Sequence, residues 1–144
     1  MTKQIINGID IHYQIDGDIS DKPIMFSNSL ASNLNMWDLQ INHLLAQGFG
    51  VIRYDSRGHG QSEVPKGPYS IEMLADDAAA LLDVLDIESV HFCGLSKGGM
   101  VAQMMGVRHA DKVKSLIIAD SAAFMPAKDT WEQRIQAVTA GGME

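Results

Sequence analysis

Short apolar runs alternate with segments of helical spacing along residues 23–120, and this alternation restricts the fold more than any other feature of the sequence. The runs typical of buried strands are 23–27, 50–55, 89–94 and 112–120. Apolar residues recur at helical spacing in 35–50, 70–85 and 98–110. Because strands separated by helices form βαβ units, we predict an α/β fold with a mostly parallel sheet and helices on both faces.

Two turn signals mark the boundaries of these elements. Asn7-Gly8 separates two isoleucine-rich runs and is typical of a type I′ turn, so an antiparallel β-hairpin is predicted before the parallel sheet. Ser70 precedes the helical pattern of 71–85 and is the predicted N-cap of that helix.

The first helical segment is expected to bury one side against the sheet. Met36, Leu39, Leu44 and Leu45 lie mostly on that side, and Gly48 is the predicted stop.

Composition narrows the class of protein. The chain has 144 residues, 46% of them hydrophobic and 20% charged, which is ordinary for one globular domain. Eleven basic residues are scattered singly against 18 acidic ones, giving a net charge of −7, so nucleic acid is not an expected partner.

Location and redox chemistry follow from the termini and the single cysteine. Cys93 has no second cysteine with which to form an intrachain disulfide. The start of the sequence lacks an apolar signal region, and no run approaches the ~18 apolar residues of a membrane span. We therefore expect a cytoplasmic protein without a membrane partner.

Gly94-Leu95-Ser96-Lys97-Gly98 matches the G-x-S-x-G pattern between a strand and a helix. In that context the serine lies on a sharp, strained turn with its hydroxyl exposed at the carboxyl end of the sheet. The backbone N–H of Lys97, at the amino end of the helix, would then face a developing oxyanion. Ser96 is the candidate nucleophile; the same pentapeptide also fits a glycine-rich turn without chemistry.

Four segments in order resemble the α/β-hydrolase superfamily over essentially the whole chain. They are "SNSLASNLNMW", "RYDSRGHGQS", "FCGLSKGG" and "SLIIADSAA". Most members carry His-Gly where this chain has Asn28-Ser29, and Asn-Ser-Leu followed by Met-Trp is similar to the 3-oxoadipate enol-lactonases. The resemblance implies a cofactor-free serine hydrolase acting on a small ester or lactone.

The resemblance also implies an oxyanion hole and the missing partners of the serine. The backbone N–H groups of Leu30 and Lys97 would hold the carbonyl oxygen. The family order is serine, acid, then histidine, so the acid and base are expected beyond residue 144, and the chain is interpreted as the front part of a longer hydrolase. Asp120 is an alternative acid, although capping of the next turn is the favoured role; His109 is expected to be solvated at a helix end.

Other polar and aromatic residues receive lesser roles. Asp55 and Arg57 are expected to satisfy backbone groups in the turn after their strand, and His59 is not the expected base. Trp131 is a candidate substrate-binding residue, whereas Trp37 could line a pocket or simply pack. The Lys97 ammonium is a candidate for attracting an anionic substrate, with a solvated or salt-bridged lysine as the alternative.

The final strand has consequences for assembly. If the last strands of such a sheet are absent, "SLIIAD" becomes an exposed edge with an uncovered apolar face. We therefore expect a second polypeptide carrying the remaining sheet, or self-association. Residues 1–122 are assigned to the hydrolase core and 123–144 to the start of a cap.

The sequence is compatible with two functions of different classes. One is hydrolysis of an ester or lactone, most similar to enol-lactone hydrolysis in aromatic-compound catabolism, with esterases and carbon–carbon-bond hydrolases as near alternatives. The other is a non-catalytic fragment or assembly subunit, because the chain alone lacks the expected histidine.

Overall fold

The computed structural model describes residues 2–125 and 128–142. Within them the chain forms six strands and four α-helices. The strands are β1 (Thr2–Ile6), β2 (Ile9–Asp16), β3 (Pro23–Ser27), β4 (Gly50–Tyr54), β5 (Val90–Leu95) and β6 (Val113–Ala119). The helices are α1 (Asp38–Ala46), α2 (Ile71–Val84), α3 (Lys97–Arg108) and α4 (Lys128–Gly141). None of these helices is long and apolar enough to cross a bilayer.

All six strands form one sheet in the order β1-β2-β4-β3-β5-β6. β1 and β2 form an antiparallel hairpin, and β2 pairs antiparallel with β4. β4, β3, β5 and β6 are parallel. This confirms the predicted parallel sheet with an N-terminal hairpin, and it brings the carboxyl ends of β3, β4 and β5 to one edge.

Residues of the central strands alternate between the two faces, because successive side chains of a strand point in opposite directions. Met25, Ile52 and Phe92 belong to the larger core, which α2 and α3 cover. Ile24, Phe26, Val51 and Cys93 face the other side, where Trp37 and Ile41 cover them. Helical segments therefore cover both faces, as predicted.

The local turn and cap signals are confirmed. Asn7 and Gly8 have φ values of 48° and 82°, as a type I′ turn requires. The side chain of Ser70 accepts a hydrogen bond from the backbone N–H of Met73 at 3.1 Å. Gly48 lies two residues beyond α1 with a φ of 79°, where a left-handed residue ends the helix.

The predicted buried side of α1 is wrong at Leu39, which is 91% exposed. A 3₁₀ turn over Leu34–Trp37 precedes the α-helix, which begins only at Asp38. Since a 3₁₀ turn has three residues per turn rather than 3.6, it changes the phase of the pattern. Trp37 and Ile41 occupy the buried side instead.

β6 is an edge strand whose side chains are open to solvent. Leu116, Ile117 and Ile118 are 37%, 47% and 45% exposed. The expected exposed edge is therefore present; whether another polypeptide covers it stays a prediction, as does the assignment of 123–144 to a cap.

Candidate active site

Ser96 lies on the turn between β5 and α3 in a conformation that L-residues rarely adopt, with φ 53° and ψ −112°. The backbone around it leaves no room for side chains. A Cβ on Gly94 would lie 1.9 Å from the carbonyl oxygen of Gly98, and one on Gly98 would lie 2.0 Å from that of Ser27. These glycines permit the strained turn and hold α3 directly against the end of β3.

Two hydrogen bonds fix the turn to the end of β6. The backbone N–H of Ser96 donates to the carbonyl oxygen of Ala119 at 2.9 Å. The hydroxyl of Ser121 donates to the carbonyl oxygen of Ser96 at 2.8 Å. Because hydrogen bonds hold both the N–H and the carbonyl group of Ser96, the position of its Cβ is fixed.

Ser96 lines an open cleft of about 300 Å³ at the carboxyl edge of the sheet. The other lining residues are Leu30, Lys97, Met100, Asp120, Ser121, Ala122, Met125 and Trp131. The cleft therefore brings together every candidate site residue of the sequence analysis, including Trp131 from α4.

The two candidate oxyanion donors are on loops that follow neighbouring strands. Leu30 follows β3, and no hydrogen bond from its N–H is found in the described part of the chain. Lys97 is the first residue of α3, where backbone N–H groups have no intrahelical acceptor and the helix dipole is positive. Both N–H groups are available to an oxyanion, although their role stays a prediction.

The Lys97 side chain does not extend into solvent. Its Nζ donates to the hydroxyl oxygen of Ser56 at 2.9 Å. Burial lowers the pKa of this ammonium from 10.5 to about 8, while the charge of Asp55 acts in the opposite direction. The charge therefore has a partner within the protein, Ser56, and its predicted attraction of an anionic substrate stays a prediction.

Asn28, which the sequence analysis named only for its place in the family motif, and Ser56, which it did not single out, organise the loop that carries Leu30. The Ser56 hydroxyl donates to Oδ1 of Asn28 at 3.0 Å. Nδ2 of Asn28 donates to the carbonyl oxygens of Ser29 at 3.1 Å and Ser32 at 2.8 Å. The family motif marked Asn28 but not its contacts, and the position of Ser56 just after β4 is the signal that could have found it.

Asp55 has the structural role that the sequence predicted. Its carboxylate accepts from the backbone N–H groups of Leu34 and Gln61 at 2.7 and 2.9 Å. It also lies 2.8 Å from Nδ1 of His12. The side chain joins β2, β4 and two loops while remaining 1% exposed.

Arg57 corrects the expectation that it would satisfy backbone groups. Its guanidinium instead forms two hydrogen bonds with the Asp77 carboxylate, at 2.5 and 2.6 Å. The hydrogen bonds that Arg57 donates to this carboxylate raise the pKa of Arg57. A buried carboxylate on α2 is a stronger acceptor than a neutral turn carbonyl, which explains the difference.

Histidines do not supply a base to the cleft in the described residues. His109 lies at the end of α3 opposite Ser96. It is not simply solvated, since its Nε2 lies 2.7 Å from the Asp76 carboxylate on α2. Nδ1 of His59 lies 3.1 Å from the carbonyl oxygen of Arg57. Burial lowers the pKa of His59, and the positive charge of Lys97 lowers it further.

The remaining sequence predictions differ in outcome. Asp120 lines the cleft with a φ of 42°, and its carboxylate makes no capping hydrogen bond within the described chain. Trp37 packs against Phe26 with ring centroids 4.5 Å apart, so packing is its role. No group of three acidic, histidine or cysteine side chains in 2–125 and 128–142 is arranged to hold a metal ion.

Comparison with known proteins gives a consistent result. The sequence model of the alpha/beta hydrolase fold matches residues 22–140. Two curated relatives from Acinetobacter baylyi, 3-oxoadipate enol-lactonases 2 and 1, are 38% and 40% identical over 135 and 136 residues. Each match covers 94% of this chain and 50% of the relative.

A solved structure extends this similarity to three dimensions. The crystal structure of the enol-lactonase from Burkholderia xenovorans LB400 superposes with a TM-score of 0.93 at 40% identity. The match covers 99% of this chain and 55% of that one. The chain thus spans about half the length of the relatives it matches.

Proposed function

The chain belongs to the α/β-hydrolase family, and we propose that the protein containing it is a serine hydrolase of carboxylic esters and lactones, with Ser96 as nucleophile. One observation carries the proposal: Ser96 is held in a strained turn at the amino end of α3 and opens onto a cleft. A serine on a strained turn between a strand and a helix exposes its hydroxyl group as a nucleophile.

The geometry supports a two-step acyl transfer. The Ser96 hydroxyl oxygen attacks the carbonyl carbon while a general base takes its proton, and the N–H groups of Leu30 and Lys97 stabilise the oxyanion. Collapse of the tetrahedral intermediate breaks the ester C–O bond, and the leaving oxygen receives the proton. Water then attacks the acyl-serine carbonyl carbon while the base takes a proton from it, the bond between that carbon and the Ser96 oxygen breaks, and the proton returns to Ser96 as the carboxylic acid is released.

The base and its orienting acid are proposed to come from outside these 144 residues. None of the residues that line the cleft in the described chain is a histidine. Asp120 is the one carboxylate among them, which keeps it as the alternative acid.

For the substrate, we favour 3-oxoadipate enol-lactone. The two Acinetobacter baylyi relatives carry that activity in their names and share about two fifths of their residues with this chain. Carboxylesterase and carbon–carbon-bond hydrolase activities are alternatives that use the same nucleophile. The expected cytoplasmic location stays a prediction.

A non-catalytic role is the second candidate. It is favoured by one observation, the absence of a histidine among the cleft residues of the described chain. In that case the chain is an assembly subunit or an inert piece, and the hydroxyl of Ser96 is not activated.

Covalent labelling separates the two. The full-length protein is treated with a fluorophosphonate, and its intact mass is measured under denaturing conditions for the parent, Ser96→Ala and Ser20→Ala. Ser20 is an exposed serine near the opposite edge of the sheet and serves as the control. Labelling of the parent and Ser20→Ala, but not of Ser96→Ala, supports the hydrolase. An unlabelled parent supports the non-catalytic role.

Lactone and ester turnover is then compared. Faster hydrolysis of the enol-lactone than of a neutral aryl ester supports the favoured substrate. The reverse preference favours a carboxylesterase.

A further inference from the structure

The loop that carries Leu30 is not in a conformation that it would adopt unaided. Ala31, the next residue, has a φ of 57°. A non-glycine residue in the left-handed region is unfavourable by about 1–2 kcal/mol. Other contacts must therefore offset this cost to hold the loop, and with it the N–H of Leu30; one lies within the loop, where the Ser32 hydroxyl contacts the Ser29 carbonyl oxygen at 2.9 Å.

These contacts form a chain that begins at the ammonium of Lys97. Nζ donates to the Ser56 hydroxyl at 2.9 Å, and that hydroxyl donates to Oδ1 of Asn28 at 3.0 Å. The amide of Asn28 in turn donates to the carbonyl oxygens of Ser29 and Ser32. Asn28 is fully buried and Ser56 is 1% exposed, so water does not readily replace either partner.

The charge on Lys97 sets the direction of the first two bonds in this chain, from Lys97 to Ser56 and from Ser56 to Asn28. An ammonium has three donors and no acceptor, so the Ser56 oxygen must accept from it and direct its only proton to Asn28. A neutral amine can accept a hydrogen bond from the hydroxyl instead, which leaves Oδ1 of Asn28 with only the long contact from the backbone N–H of Ser56 at 3.5 Å. Only the protonated lysine therefore enforces the observed arrangement.

The thioether of Met36 supports the same loop from another side. Its sulfur accepts from the N–H of Ser29 at 3.4 Å and lies 3.1 Å from the hydroxyl oxygen of Ser32, whose single proton it shares with the Ser29 carbonyl oxygen at 2.9 Å. Thioether sulfur is a weak acceptor, so these contacts do not substitute for the charged chain.

We propose that the Lys97 ammonium is a positioning residue for the oxyanion loop, holding the N–H of Leu30 in place through Ser56 and Asn28. This inference rests on the proposed serine-hydrolase function. Lys97 would then contribute to both halves of the oxyanion hole, to one through its backbone N–H and to the other through its side chain.

Other charged groups surround this ammonium. The Asp55 carboxylate at the end of β4 stabilises the charged form, and the His59 imidazole lies within its electrostatic reach. Asp120 lines the same cleft from the end of β6. Since burial lowers the pKa of Lys97 to about 8, the proposal predicts that kcat declines as pH rises through 8.

The test measures kcat and KM of the full-length protein on a neutral aryl ester, which has no charge for a lysine to attract. Lys97→Met removes the ammonium. Ser56→Ala keeps the ammonium but interrupts the chain of hydrogen bonds between Lys97 and Asn28. Each is expected to lower kcat at least tenfold with KM changed less than twofold. The double variant should be no slower than the slower single variant, since both act through one chain. Lys22→Met, which removes an exposed charge before β3, serves as the control and should behave as the parent.

The pH profile gives a second readout. The alkaline decline of kcat near pH 8 should be present in the parent and absent in Lys97→Met. If Lys97→Met keeps kcat within twofold of the parent, or if it raises only the KM for an anionic lactone, the positioning role is wrong. If Ser96→Ala retains turnover, the proposed function fails instead, so the two failures are distinguishable. Circular dichroism of each variant identifies any loss of kcat that arises from unfolding.

Discussion

Two arginine–aspartate pairs attach to consecutive residues of α2 and differ mainly in burial. Arg57 binds Asp77 through two hydrogen bonds, and the two side chains are 10% and 2% exposed. Arg108 binds Asp76 through two hydrogen bonds of 3.0 and 2.9 Å, with exposures of 45% and 37%. The chain therefore provides an internal comparison of a buried and an exposed ion pair of the same chemistry.

We expect Arg57→Met to lower the free energy of unfolding by about 3 kcal/mol or more. Removal of one partner of a buried pair costs about 3–5 kcal/mol, because the other charge remains buried without compensation. The lower end applies here, since Asn7 Nδ2 still donates to the Asp77 carboxylate at 2.9 Å. Arg108→Met should cost less than about 1 kcal/mol, because Asp76 is exposed to water and keeps its contact with Nε2 of His109.

Urea unfolding of the full-length protein, followed by circular dichroism, measures both losses. The double variant Arg57→Met/Asp77→Leu should regain part of the stability lost by Arg57→Met, since it removes the uncompensated carboxylate. Equal losses for Arg57→Met and Arg108→Met, within about 0.5 kcal/mol, would refute the argument that burial determines the difference.

Three further outcomes are expected for the same protein. Gly98→Ala should lose about 1–3 kcal/mol in urea unfolding, because the new Cβ meets the Ser27 carbonyl oxygen at 2.0 Å; parental stability would contradict this close contact. Ser70→Ala should lose about 1 kcal/mol by the same measurement, because the N–H of Met73 loses its acceptor, and an unchanged midpoint would exclude the cap. The free energy of unfolding of the parent, relative to that of Lys97→Met, should rise between pH 8 and 10 by at most about 1.4 kcal/mol per pH unit, because Lys97 binds more protons in the unfolded state there. If the urea midpoints of the two proteins change with pH in the same way, the pKa of Lys97 is not lowered by folding.

The sequence predicted those features that depend on backbone conformation. Asn7-Gly8 and Gly48 require positive φ angles, and glycine or asparagine adopts them most readily, so residue type identifies the turn. The turn at Ser96 is identified by Gly94 and Gly98, because no side chain fits where the backbones of β3, β5 and α3 approach.

Features that depend on the partner of a long side chain were not predictable. Arg57 reaches Asp77, 20 residues along the chain, and Lys97 reaches Ser56, 41 residues back. Spacing along the chain carries no information on such pairs. Leu39 shows the same limit for a helix, since the short 3₁₀ turn that shifts its phase has no separate signal in the apolar pattern.

Lys97, between the serine and the second glycine of the G-x-S-x-G turn, makes separate contacts through its backbone and its side chain. Its N–H belongs to the first turn of α3, so the helix fixes that donor whatever the side chain is. The side chain leaves the turn toward the ends of β3 and β4, which the sheet order places next to each other. At this position an apolar residue could only pack, whereas Lys97 finds Ser56 and, through it, Asn28. Under the proposed role of Lys97, a single substitution here alters the support of the Leu30 N–H without displacing the Lys97 N–H, and this separation makes the kinetics of Lys97→Met interpretable.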